Sequence, residues 1–158
     1  NLYDDLTYLV LSHKIISHDE TIDLKELLEE RMEYFTLLKD YKKITSSMEL
    51  QKGVTLFIDR KKMTKLIDNI LSNAIKYNVI GGSISLVLKE RRITISDTGQ
   101  GIEESKLKRV FERYSRFNTS VGGFGIGLSI VSLIAKEYHL HVTLSSVLKE
   151  GTEVKISW

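Results

Sequence analysis

Hydrophobic positions along the chain switch between a helical spacing of three and four residues and a strand-like alternation, and the switches mark out the elements. Between Leu2 and Ile16, the residues Leu2, Leu6, Leu9, Val10 and His13 share one helical stripe. Asp19 to Asp23 interrupts it, and a short extended piece from Thr21 to Leu24 follows. A second helix is predicted over Lys25–Asp40, with Leu24, Leu27, Leu28, Arg31, Phe35 and Leu38 along it. Lys43–Glu49 and Val54–Asp59 read as strands separated by Gln51, Lys52 and Gly53, hence as a hairpin. Arg60–Asn78 is the most regular segment: Met63, Leu66, Ile67, Ile70, Leu71, Ala74 and Ile75 recur at i, i+3, i+4, i+7, i+8, i+11 and i+12, a helix with one buried face.

Ser83–Lys89 and Arg92–Ser96 form a second predicted hairpin about Glu90 and Arg91. The stretch Asp97–Gly127 breaks the order, with six of the ten glycines and one short helical candidate, Glu103–Phe111. A loop this long inside a compact domain is usually functional. Helical spacing resumes over Leu128–Tyr138, and strands His141–Val147 and Thr152–Trp158 flank Gly151. Tight hairpins require antiparallel pairing, so the interleaved helices and strands imply a mixed sheet and an α+β class, not a doubly wound one.

Composition narrows the chemistry. The 158 residues are 42% hydrophobic and 28% charged, enough for a real core, with no proline and no cysteine. Without cysteine there is no disulfide scaffold, thiol nucleophile or thiolate metal site, and a reducing compartment fits. Net charge is +2, unevenly spread: residues 1–52 carry seven basic and eleven acidic side chains, and the remainder carries the positive excess. That excess favours an anion, although a solvated mixed surface fits it too. No apolar run reaches the ~18 residues that cross a bilayer. The chain opens on Asn1 within a helical pattern, and is expected to be a piece of something longer.

Within the regular helix, Asn69, Asn73 and Lys76 stand at i, i+4 and i+7, a polar stripe beside the apolar one. Two amides and an ammonium suit a polyphosphate and its metal, since a neutral carbonyl oxygen is a fitting ligand for a Mg²⁺ that keeps most of its waters. By itself the stripe also fits a solvated face. DTGQG, Asp97 to Gly101, follows a strand directly: an acidic residue there can accept from an exocyclic amine such as adenine N6, and an Asp-capped turn is the alternative. GGFGIGL, Gly122 to Leu128, precedes a helix, where glycine N–H groups make a phosphate site. No Lys-Ser or Lys-Thr follows these glycines, and their spacing is not GxGxxG, which sets aside the P-loop and the dinucleotide fold.

NILSNAIKY, DTGQGI, VFERYSRF, GGFGIGLSIV and GT, in that order, resemble the catalytic ATP-binding domain of bacterial sensor histidine kinases, of the Bergerat fold shared with Hsp90, type II topoisomerase and MutL ATPases. The resemblance covers about residues 21–158. It implies a two-layer α/β sandwich with a mixed, mostly antiparallel sheet on about three helices. It makes Asn73 the Mg²⁺ ligand with Asn69 one turn earlier, sends Lys76 to the phosphates and lays Tyr77 against the nucleotide. Asp97 would take the adenine amine, with Gly99, Gly101 and Ile102 beside it and Thr152 near the base. Phe111 and Arg113 fall in the lid, the latter toward the γ-phosphate. Gly123, Gly125 and Gly127, running into Leu128, would hinge the lid and meet phosphates. Phe124 departs from the family, where a small or hydroxyl residue is common.

The resemblance also implies a phosphoacceptor histidine. His18, followed by Asp19 and Glu20, lacks the family's following proline and interrupts a helix, so the acceptor is expected upstream, beyond this chain; His13, His139 and His141 read as surface or structural. Residues 1–18 are then the end of the dimerisation and acceptor helix hairpin, and 19–158 the catalytic domain. The partners implied are ATP, an acceptor helix of the same or a partner subunit and a response regulator, without nucleic acid or direct membrane contact. The parent would be a homodimer anchored in the bacterial inner membrane, with this domain cytoplasmic. Two rivals remain: an Hsp90- or mismatch-repair-type ATPase, which would need a catalytic Glu where Asp68 and Asn69 stand, and a degenerate domain that only binds proteins.

Overall fold

The computed structural model of the chain describes residues 2–11, 16–107 and 124–158. Along these the elements run α1 (Leu2–Leu11), β1 (Asp19–Asp23), α2 (Leu24–Tyr34), α3 (Thr36–Tyr41), β2 (Thr45–Leu50), β3 (Thr55–Asp59), α4 (Arg60–Lys76), β4 (Ser83–Lys89), β5 (Arg92–Asp97), α5 (Phe124–Glu137), β6 (His141–Val147) and β7 (Gly151–Ser157). Residues 104–107, inside the helix expected over Glu103–Phe111, are helical.

Five strands make one sheet in the order β2-β4-β5-β7-β6, with β2 parallel to β4 and every other neighbour antiparallel. The predicted α+β class with a mixed, mostly antiparallel sheet is what the chain forms. Strand alternation decides which sheet face is dry: Ile84, Leu86 and Leu88 of β4 and Ile93 and Ile95 of β5 are buried, whereas Ser83, Ser85 and Thr94 between them are only partly covered. Helices α4 and α5 lie over the dry face, and α2 packs against α4 and β1. All seven residues of the predicted α4 stripe are buried, each large one contributing about 2 kcal/mol of transfer free energy. Asp59 starts α4 by accepting the Lys62 N–H at 2.9 Å, and Asp23 does the same for α2 from Glu26 at 3.3 Å.

Three expectations need correction. The hairpin between Lys43–Glu49 and Val54–Asp59 does not form: β2 lies parallel beside β4, and β3 pairs with β1 in a separate two-stranded sheet, Asp19 opposite Asp59 and Asp23 opposite Thr55. A short loop permits local pairing, but the pairing with β1 buries Ile22 and Ile58 completely, and that gain decides. The helix expected over Lys25–Asp40 bends at Phe35, which is buried, closes α2 and opens α3. Beyond the bend the face rotates: Leu38 is exposed and Lys39 is buried, its ammonium donating to the Ser46 hydroxyl at 2.8 Å. In α1 the expected apolar stripe points partly outward, with Leu6 and Val10 exposed, because Asp5 turns inward to the Lys65 ammonium at 2.8 Å and Tyr8 and Leu9 pack on the core.

Candidate functional site

Asp97 is the last residue of β5, and its register partners define the site. It stands opposite Thr152 of β7, which in turn stands opposite Ser146 of β6, so three polar residues form one row across the dry face where the apolar rows end. Above them a narrow cleft opens between sheet and helices. Ile95, Val154 and Leu144 from the sheet, Ile70 and Ala74 from α4 and Leu128 from α5 wall it, with Asn73, Tyr77, Asp97, Gly101 and Thr152 at its edges. Apolar walls with a few convergent polar groups are the usual form of a small-molecule pocket.

Burial pushes the Asp97 carboxyl above the ordinary carboxylate range, while N–H groups of Gly99 and Thr152 pull it down by donating to it. The Gly99 N–H lies 2.8 Å from Oδ1. The following loop is stitched in place: Gln100 N–H donates to Tyr77 O at 3.1 Å, and Ile102 N–H donates to the Ser146 hydroxyl at 2.8 Å. Gly101 takes φ +69°, and a Cβ there would run into the Val147 carbonyl, so its glycine is required by both conformation and space. Ile102 and Leu128 form a small buried cluster with Tyr77, Leu107 and Leu144 around the cleft.

On the helical side, Asn69 donates from Nδ2 to Lys65 O at 2.8 Å, which leaves its Oδ1 toward α5. A Cβ on Gly127 would sit 3.2 Å from that oxygen and 3.8 Å from Asn73 Nδ2, so α5 approaches the amide stripe through a glycine. The glycine cluster was expected to precede its helix; instead α5 starts at Phe124, and Gly125 and Gly127 lie in its first turn. Lys76 is exposed, its ammonium 5.3 Å from the Tyr77 ring centroid, at the rim and not within the cleft. Phe111, Arg113 and Gly123 fall outside the described residues, as does His13. His18 is exposed and donates its backbone N–H to Asp59 at 2.8 Å.

Sequence reading missed two residues that shape this site. Lys42 carries its ammonium to the end of α4, donating to the carbonyls of Ile75, Lys76 and Asn78 at 3.0, 2.8 and 3.0 Å, which satisfies groups a helix terminus leaves open. Ser146 joins the loop at Ile102 to the β6–β7 hairpin. Neither has a local signal, since each acts on residues distant in sequence. Asp68, where a water-activating Glu would be sought, is held on the far side of α4 by a bidentate contact with Arg31, Nε to Oδ1 at 2.8 Å and Nη2 to Oδ2 at 2.7 Å.

Asn73 lies at the cleft and carries a neutral amide oxygen, a donor type that suits a hydrated divalent cation, although it is the amide nitrogen that stands toward Gly127 of α5. Among the described residues no group of three or more His, Cys, Asp or Glu side chains gathers as a metal cluster, and no helix is long and apolar enough to cross a membrane.

Comparison with known proteins gives the family. The family model of histidine kinase-, DNA gyrase B- and HSP90-like ATPases matches residues 58–158. The adaptive-response sensory kinase SasA of Microcystis aeruginosa is 30% identical over 143 residues, covering 85% of this chain and 37% of that protein. The chain spans less than half the length of such curated relatives. The cytoplasmic segment of histidine kinase QseC has the same fold, with a TM-score of 0.75 at 20% identity over 100% of this chain and 94% of that one. So does histidine kinase ThkA, solved in complex with the response regulator protein TrrA, with a TM-score of 0.78 at 19% identity over 98% and 46% of the two chains. With an apolar slot closed by Asp97 and Thr152 on one side and an amide stripe on the other, the chain belongs to the family of histidine kinase-, DNA gyrase B- and HSP90-like ATPases, as a catalytic ATP-binding domain of the sensor histidine kinase type.

Proposed function

We propose that this domain binds Mg-ATP in the cleft beneath α4 and α5 and transfers the γ-phosphoryl group to a histidine of an acceptor helix, for relay to a response-regulator aspartate. The observation that carries the reading is the row of Asp97 and Thr152 at the end of an otherwise apolar slot. A planar base would lie between Ile95, Val154 and Leu128 and donate from its exocyclic amine to the Asp97 carboxylate, with Gly99, Gly101 and Ile102 beside it and Tyr77 against the nucleotide.

From there the phosphates run toward the amide stripe and the first turn of α5. Asn73, supported by Asn69, would hold Mg²⁺, which when bound neutralises phosphate charge. Lys76 would swing from the rim to the phosphates and Gly125 and Gly127 would offer backbone amides; by the family resemblance alone, Gly123 would join them, and Phe111 and Arg113 would serve a lid, the latter at the γ-phosphate. A neutral imidazole is nucleophilic near neutral pH, so the domain need not supply a base. Its own residues position and neutralise: the imidazole nitrogen forms a bond to the γ-phosphorus as the bond to the ADP oxygen breaks. The engagement of Asp68 by Arg31 speaks against a water-activating acid on α4.

Residues 1–18 belong, on this reading, to the end of the dimerisation hairpin, and 19–158 to the catalytic domain. The parent is a homodimer anchored in the inner membrane with this domain on the cytoplasmic side; that ThkA was solved with a response regulator supports such a partner here. Mixing this chain with radiolabelled ATP and a separately made acceptor-helix dimer tests the proposal. Acid-labile label on the helices is the expected result. Intact ATP binding without transfer would contradict it and favour a domain that only binds.

A further inference from the structure

We propose that Ser146 fixes the hydrogen-bonding polarity of the base pocket by orienting the Thr152 hydroxyl, and so selects a 6-aminopurine over a 6-oxopurine. The proposal rests on the reading that a purine lies against Asp97, and deepens it.

The argument is an account of protons. Ser146 Oγ has three neighbours: the Ile102 N–H at 2.8 Å, the Gly151 carbonyl oxygen at 2.9 Å and Thr152 Oγ1 at 2.8 Å. A hydroxyl has one proton to give and two lone pairs to receive with. The Gly151 carbonyl can only accept, so the Ser146 proton goes there. The Ile102 N–H can only donate, so it occupies one lone pair. The contact with Thr152 then has a single solution, in which Thr152 donates to the second lone pair of Ser146. Its only proton is thereby committed, and the hydroxyl oxygen of Thr152, a residue of the cleft lining, has lone pairs alone to offer.

Thr152 stands opposite Asp97 in the strand register, so the wall presents two acceptors side by side. An exocyclic amine with its two hydrogens complements them; a carbonyl at the same purine position faces lone pairs with lone pairs. Asp97 alone carries part of this preference. Ser146, which reaches no ligand itself, adds to it by keeping Thr152 from turning a proton into the cleft. Ser146 is a positioning residue, recognisable only from the three-strand row that sets Asp97, Thr152 and Ser146 together.

The test measures affinity for ATP and for inosine triphosphate, whose purine carries oxygen in place of the amine, and takes their ratio. Ser146→Ala frees the Thr152 proton to meet that oxygen, and the ratio is expected to fall about tenfold from the wild-type value. Losing the Ile102 tether weakens both nucleotides alike and cancels in the ratio. Ser146→Thr keeps the hydroxyl and is expected to keep the ratio. In a Thr152→Val background, Ser146→Ala is expected to change the ratio no further, because the group it acts through is gone. An unchanged ratio in Ser146→Ala, or an equal fall with and without Thr152, overturns the proposal. Wild-type protein that binds neither nucleotide, or both equally, instead overturns the underlying placement of adenine on Asp97.

Discussion

Asn69 Oδ1 lies 3.2 Å from the point where a Cβ on Gly127 would stand, so the polar stripe of α4 and the first turn of α5 meet through the absence of a side chain. The Asn69 amide is tethered to Lys65 O at 2.8 Å and cannot swing away without losing that bond. Gly127→Ala adds helix propensity, worth less in this first turn than the ~1 kcal/mol of a helix interior, but pushes on the amide stripe. The unliganded variant is expected to melt no lower than wild type, while its Mg-ATP dissociation constant rises about fivefold, equivalent to roughly 1 kcal/mol. Thermal melts and a nucleotide titration on the same preparation check both halves.

Asp97 is held at a cost in the unliganded protein, because burial raises its carboxyl more than its two N–H donors lower it. A folded-state value above the unfolded one means that stability is fully present below the ordinary carboxylate range and is lost as pH rises through the raised value. Asp97→Asn removes the charge. The variant is therefore expected to be more stable than wild type at neutral pH, with the gap closing as pH falls toward about 4, near the unfolded carboxyl value. Melting curves across that range, without nucleotide, read the sign directly; a gap that widens in acid would contradict it.

Lys62 and Glu137 form a lopsided pair. The Lys62 side chain is 6% exposed and the Glu137 side chain 41% exposed, with 2.7 Å between ammonium and carboxylate and Ser17 Oγ 2.5 Å from the same nitrogen. Glu137→Gln leaves a buried cation without its counter-charge, expected to cost about 3 kcal/mol. Lys62→Met leaves a carboxylate that can turn to water, expected to cost about 1 kcal/mol or less. Urea denaturation of both variants should show that asymmetry.

Much of this was legible in the chain. The α4 stripe from Met63 to Ile75 buries as its spacing predicts, the polar positions beside it reach the cleft at Asn73, and the end of β5 and the turn after it set Asp97 and Gly101 at its edge. What could not be read depends on partners distant in sequence. Nothing in Thr55–Asp59 announces that it prefers Asp19–Asp23 to its neighbour β2, and nothing in the run containing Phe35 marks the bend that exposes Leu38. Ser146 is one serine among several until the register sets it across from Thr152, and Lys42 is one lysine among many until the fold carries it to the end of α4.

Calorimetric titration of Mg-ATP into wild-type protein and Asp97→Asn tests the placement of adenine most directly. Wild type is expected to bind, and the variant, which exchanges a carboxylate acceptor for an amide, to bind at least about tenfold more weakly. Equal affinity in the two proteins would contradict the assignment of this cleft.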